Sequence, residues 1–125
     1  MNKMKGMYVD GFVLPVLKKN LAIYRMMAKD GAKLWKKYGA LEYRECVADD
    51  LRAKWALPFT KMVKPKPGET IFFSYIVYKS RKHRDQVNKK VMSDPSMKDP
   101  KYKDMPMPFD MKRMAYGGFK VFVDG

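Results

Sequence analysis

Thr70-Ile-Phe-Phe-Ser-Tyr-Ile-Val-Tyr78 decides how this chain is read. It is apolar at nearly every position, rich in β-branched and aromatic residues, and interrupted only by Ser74. A strand with no solvent face belongs in the middle of a sheet, so its neighbours must supply at least two further strands.

Downstream, Ser80 is a good helix N-cap. Val87 and Val91 then recur four residues apart among Arg81, Arg84, Lys89 and Lys90, until Pro95 forbids continuation. Residues 93–108 carry Pro95, Pro100, Pro106 and Pro108 and read as a long connection, and Ala115 to Val123 reads as a last strand. Upstream, residues 55–66 hold Pro58 and Pro65 and show no sustained period, which predicts irregular structure. Ala40 to Ala48 alternates Leu41, Tyr43 and Val47 with Glu42, Arg44 and Cys46, the pattern of a half-exposed edge strand. Val16 to Tyr38 carries Leu17, Leu21, Tyr24, Ala28 and Trp35 at helical spacing, and Gly39 supplies a helix terminator. Met7 to Leu14 is a strand that Pro15 should end.

The resulting order is strand, helix, strand, strand, helix, strand. Right-handed crossovers place the first and third strands at the centre of a four-stranded antiparallel sheet with both helices on one face, an α+β ferredoxin-like βαββαβ unit. Phe12, Phe72, Phe73, Tyr75, Ile76, Phe119 and Phe122 supply large apolar groups to both sides of that sheet, but two helices cover one side. The uncovered side predicts a homodimer with the two sheets face to face and a cavity between them.

At 125 residues the chain has room for one domain, 1–125, with a core that needs no disulfide or metal. Cys46 is its single cysteine, which excludes an internal disulfide and a Cys-rich zinc site and suits a reducing, cytoplasmic setting. Lys3 and Lys5 precede an apolar stretch, but Asp10 and Pro15 interrupt it and no small-residue cleavage pattern follows, so it is read as a strand and no signal peptide is expected. No apolar run approaches the ~20 residues of a membrane span. The net charge is +14, with 21 lysines and only six arginines, which describes a solvated basic surface better than a site for bidentate anion recognition.

Tyr8-Val-Asp-Gly-Phe-Val13, Gly39-Ala-Leu41 followed by Glu45-Cys46, Phe73-Ser-Tyr-Ile76, Arg84-Asp85, Met92-Ser-Asp-Pro95 and, most specifically, Pro108-Phe-Asp-Met-Lys-Arg-Met-Ala-Tyr-Gly-Gly-Phe119 resemble the YbaA-like family of small bacterial proteins across nearly the whole chain. The resemblance implies ferredoxin-like subunits paired as a dimeric α+β barrel. It implies no mechanism and no cofactor, and the strong positive charge lies outside its motifs.

Asp10, Glu45 and Ser74 are the polar groups within predicted strands that could do chemistry at a cavity, a desolvated carboxylate being a competent base. The competing reading pairs Asp10 and Glu45 with Arg44 or Arg113, or turns them to solvent. Cys46 reads as a small buried residue and His83, among Arg81, Lys82 and Arg84, as a solvated one, which disfavours a Cys–His dyad. The cavity between the sheets would take an apolar or anionic small molecule; Asp110, Lys112 and Arg113 precede a Gly117-Gly118 pair and form either its lip, with Arg113 holding an anion, or a turn whose aspartate caps and whose arginine pairs. No phosphate loop, Ser-His-Asp set or metal-ligand spacing is present, so an enzyme here would work without a cofactor. Lys61, Lys64, Lys66, Lys79, Arg81, Lys82, Arg84, Lys89 and Lys90 would bind RNA weakly if they formed one surface, or else they are solvated faces. Phe72, Phe73 and Tyr75 are expected to be buried, which argues against stacking on bases.

Overall fold

A computed structural model describes residues 6–100, 105 and 107–125. Lys3, Lys5 and Pro106 lie outside them. The strands are β1 (Tyr8–Leu17), β2 (Glu42–Val47), β3 (Glu69–Tyr78) and β4 (Ala115–Lys120), and the helices are α1 (Leu21–Lys37), α2 (Phe59–Val63) and α3 (Arg81–Met92). All pairings are antiparallel, in the order β2-β3-β1-β4. The apolar segments β1 and β3 thus take the centre and the charged β2 an edge, giving the ferredoxin-like α+β fold that the element order predicts.

Pro15 does not end β1; the strand runs two residues past it and pairs Pro15 with Ile71. The alternation of the ladder explains why. Lys18 donates its N–H to Gly68 beside β3, whereas the carbonyl of Met7 turns to β4, where Val121 donates to it. Odd-numbered residues of β1 therefore point their backbone toward β4, and β4 pairs no further along β1 than Val13. The donor that Pro15 lacks would have had no partner.

The first helix consequently starts later than its apolar period suggests, after a 3-10 turn over Lys18–Asn20. It stops at Gly39, whose φ of +113° is open to glycine without strain, and the N–H of Ala40 reaches back to Trp35 at 3.0 Å. Ser80 caps α3 as expected, its Oγ accepting the N–H of His83 at 3.0 Å. Two expectations are corrected. Residues 59–63, expected to be irregular, form α2, closed by Lys64 in the left-handed region at φ 53°. β4 ends at Lys120, three residues short of Val123.

Register separates the two faces of the sheet. Tyr8, Asp10, Phe12, Leu14 and Val16 of β1 sit opposite Tyr78, Ile76, Ser74, Phe72 and Thr70 of β3 and share the face under the helices. One core cluster joins Tyr8, Ile76 and Tyr78 to Val87 and Val91 of α3, with Leu34 and Trp35 of α1 against it. A second joins Leu14, Val16 and Phe72 to Tyr24 of α1. The opposite face has no helix over its centre. Phe73 is 46% exposed and Phe119 62%, and Tyr75 is half-buried. Only Phe72 of the three aromatics expected to be buried is so, because Phe73 and Tyr75 have the wrong parity.

Candidate functional site

Between the sheet and the helices lies an open cavity of ≈ 900 Å³. Its floor is the helix-facing side of the sheet, with Asp10, Phe12, Glu45, Ser74 and Tyr116; Leu34 and Trp35 of α1 form one wall, and Met92, Met111 and Met114 help to close it. The three residues singled out as chemical candidates in strands therefore share one surface. That surface lies inside a single chain, on the opposite side of the sheet from the face on which a second sheet was expected to pack. Cross-strand register is what decides this: Ser74 lies directly opposite both Phe12 and Glu45, and Asp10 lies one same-face step further along β1.

Glu45 and Asp10 are two strands apart, on the order of 12 Å from strand spacing and rise, and they occupy different environments. Glu45 is ringed by hydroxyls. Tyr24 donates to its Oε1 at 2.7 Å, Tyr43 donates to Oε2 at 3.0 Å, and Ser74 donates to Oε1. Tyr43 comes from the same strand two residues earlier, Ser74 from the neighbouring strand, and Tyr24 from the helix above. Gly31 of α1 makes room for this arrangement, because a Cβ there would meet the Tyr43 hydroxyl at 3.0 Å. Burial and the Glu45 charge raise the Tyr24 and Tyr43 phenols above their ordinary value, so both remain proton donors. Arg44, offered above as a partner for Glu45, does not pair with it; adjacent residues of a strand face opposite ways, and Arg44 lies opposite Tyr75, donates to the Tyr43 carbonyl at 3.1 Å and stands 3.9 Å from Glu42.

Asp10 is 1% exposed and pairs with Arg84 at 2.9 Å. Neither Arg44 nor Arg113 is involved. The Arg84 guanidinium also donates to the Tyr116 hydroxyl at 2.6 Å and to Asp85 at 2.8 Å, and it stacks over the Tyr8 ring at 4.9 Å. Burial pushes the Asp10 carboxyl up, against the pull of Arg84 and the polar side chains of Tyr116, Tyr78 and Asn88. Asn88 in turn accepts from Trp35 at 3.1 Å and Tyr78 at 3.2 Å, joining α3 to α1 and the sheet.

Asp94 closes the far end of this layer. It accepts from the Tyr38 hydroxyl at 2.6 Å, from Lys37 at 3.2 Å and from the Ser96 N–H at 2.8 Å, and these partners hold it well below the usual carboxylate range. Sequence reasoning quoted Asp94 in a motif without a role. It also missed Tyr24 and Tyr43, although the shared parity of Tyr43 and Glu45 was a readable signal.

The remaining candidates fall outside the cavity. Arg113 forks onto Glu69 at 2.7 and 2.9 Å and donates to the Lys64 carbonyl at 3.2 Å, and Asp110 caps the following turn by accepting the Lys112 N–H at 2.9 Å. Of the two readings of that motif, the geometry is that of the capped and paired turn; Lys112 is exposed, and it is the neighbouring Met111 and Met114 that line the cavity. Cys46, expected to be buried, is exposed on the opposite sheet face, and His83, expected to be solvated, is half-buried with Nδ1 accepting the Lys79 N–H at 3.0 Å. The basic set divides. Arg84 is turned inward, while Lys61, Lys64 and Lys66 precede β3 and Lys79, Arg81 and Lys82 follow it, about 30 Å apart along ten residues of strand. Among the described residues, no three His, Cys, Asp or Glu side chains gather to hold a metal, and no helix is long and apolar enough to cross a membrane.

Residues 7–111 match the family model described as protein of unknown function, DUF1428. The chain belongs to the DUF1428 family. Its relatives include the uncharacterised protein YbaA of Escherichia coli K12 and its counterpart in Shigella flexneri, each 44% identical over 117 residues, spanning 94% of this chain and 97% of theirs. Among solved structures, a dimeric ferredoxin-like protein from an uncultured marine organism superposes with a TM-score of 0.60 at 12% identity, covering 95% of this chain and 99% of its own. That likeness establishes the DUF1428 chain's fold; the family itself has no assigned activity.

Proposed function

We propose that this DUF1428 protein is a small-molecule binding protein whose ligand enters the cavity between sheet and helices. The observation that carries this reading is an open space of ≈ 900 Å³, a size typical of ligand sites, where a folded core would otherwise be closed. Its walls suit the role, being mostly apolar with a few polar groups at defined places. Met27, Met92, Met97, Met111 and Met114 line it, and unbranched thioether side chains adapt to a guest better than branched ones.

The bare sheet face supports pairing with a second copy. Phe73, Tyr75 and Phe119 on that face form a surface of the kind that two identical sheets bury against one another, and the ferredoxin-like neighbour is described as dimeric. The lone Cys46 on the same face favours a reducing compartment such as the cytoplasm.

Native mass spectrometry of protein purified without added ligand, across a salt series, tests both statements. A dimer carrying a stoichiometric small molecule that survives high salt is the expected result. Protein that is clean in every preparation and captures only RNA, at low salt alone, would overturn the cavity reading in favour of nonspecific charge.

A further inference from the structure

Every hydrogen bond that the described residues give Glu45 ends on its oxygens. Tyr24, Tyr43 and Ser74 each hold a single hydroxyl proton and direct it at the carboxylate, and no described lysine or arginine stands within ion-pair distance. A carboxylate offers about four acceptor positions, so one is left toward the cavity, and only a donor can use it. The described cations that line or flank the cavity are engaged elsewhere: Lys37 on Asp94, Arg44 on the Tyr43 carbonyl and beside Glu42, Arg84 on Asp10 and Asp85, and Arg113 on Glu69. Lys33 stands at the rim in solvent. In a chain of net charge +14, the acidic residues that line this cavity are Asp10, Asp30, Glu45, Asp94 and Asp99; Asp10 and Asp94 are already paired with Arg84 and Lys37, and Glu45 is the carboxylate on the strand floor held by hydroxyls alone.

We infer that the ligand is an apolar-bodied molecule with a hydrogen-bond-donating head, an ammonium or a hydroxyl, which docks on Glu45, and that molecules with an anionic head are excluded. The inference rests on the proposed ligand-binding role of the cavity and adds the polarity of its guest. It also reverses the expectation that Arg113 would hold an anion. The aromatic lining agrees with it, since Trp35 and Tyr43, with ring centroids 6.3 Å apart, both line the cavity and supply large apolar surface for the body of such a guest.

Three probes with one body test this: naphthylmethylamine, naphthol and naphthoate, titrated at neutral pH and roughly physiological salt, where long-range fields are screened within ~8 Å. Binding is read by calorimetry and placed by amide chemical shifts of β2 and β3. The amine and the alcohol are expected to bind at least about tenfold more tightly than the carboxylate, as a hydrogen bond to a charged group implies. E45Q should weaken the amine by about the same factor and leave naphthoate unchanged or improved. The general positive charge would favour naphthoate, so the expected ranking cannot come from nonspecific attraction. If naphthoate binds best, or if a folded E45Q protein keeps the amine's affinity, the inference falls while the cavity remains a binding site. If none of the three moves cavity resonances, the cavity reading falls with it. The ranking on the unaltered protein decides the matter even if E45Q does not fold.

Discussion

Arg84 of α3 and Asp10 of β1, 74 residues apart, meet at 2.9 Å with only 13% and 2% of their side chains exposed. The pair ties α3 to the central strand β1, and Asp10 lines one end of the cavity. Removing one partner of a buried pair leaves a charge that neither water nor protein solvates, at a cost of about 3–5 kcal/mol. Arg84→Met is therefore expected to lower the urea midpoint by a shift of that size, and Arg84→Met with Asp10→Asn to recover a large part of it. A loss below about 1 kcal/mol in the single variant would mean that the pair is effectively solvated.

The acid limb of stability should be governed by carboxylates of opposite sign. Asp94 is held below its ordinary 3.8, and Glu69, beneath the Arg113 fork, below its ordinary 4.5. Each binds fewer protons folded than unfolded, so the stability it adds is present above those ordinary values and is lost as pH falls toward the lowered ones. Asp10 is raised above 3.8, so the folded chain holds its proton longer and the contribution declines as pH rises through that window. Asp94→Asn should flatten the acid limb of the urea midpoint against pH, whereas Asp10→Asn should steepen it. An unchanged acid slope in Asp94→Asn would contradict this assignment.

His83 adds a separate step nearer neutrality. Its Nδ1 accepts the Lys79 N–H at 3.0 Å, which an imidazolium cannot do, and burial together with the charges of Lys79 and Lys90 lowers it from 6.5. The unfolded chain then takes up a proton before the folded one, so stability is full above about 6.5 and declines as pH falls from there to the lowered folded value. Replacing His83 with Gln should remove this step. NMR titration of the imidazole showing a midpoint at or above 6.5 would refute it.

Gly117 and Gly118 look equivalent in sequence and are not. A Cβ on Gly118 would run into the ring and hydroxyl of the buried Tyr8, whereas one on Gly117 would meet the exposed Phe119 ring at 3.3 Å, which is free to move. Gly118→Ala is expected to destabilise by about 1–3 kcal/mol, the usual penalty of overpacking, and Gly117→Ala by much less. Equal thermal shifts in the two variants would show that Tyr8 yields easily.

Pairing through the bare sheet face predicts that Phe73→Asp with Phe119→Asp gives a folded monomer. Light scattering coupled to gel filtration reads the mass directly, and circular dichroism confirms the fold. Unaltered protein that is already monomeric at micromolar concentration would leave the apolar face needing another partner.

The β3 segment was legible because an unbroken apolar run of that length has one economical home, and β1 followed from its composition; their central positions then placed β2 at an edge. Pro15 was misread because a proline ends a strand only where its missing donor would have been used, and that depends on where β4 stops. Ser80 and Gly39 were legible as caps, since capping is local chemistry.

Asp10, Glu45 and Ser74 were recoverable as polar residues in strands, yet their meeting on one floor was not, because parity becomes position only once register pairs Ser74 with both Phe12 and Glu45. Arg84 carries the same lesson. Among Arg81, Lys82, Lys89 and Lys90 it is one more cation of a basic helix, and only the docking of α3 over β1 turns it inward to Asp10. Element type, order and charge are properties of neighbouring residues and can be read along the chain. The hydroxyl ring around Glu45, the Arg84–Asp10 pair and the cavity between them are properties of residues brought together by packing, and tertiary structure alone could decide them.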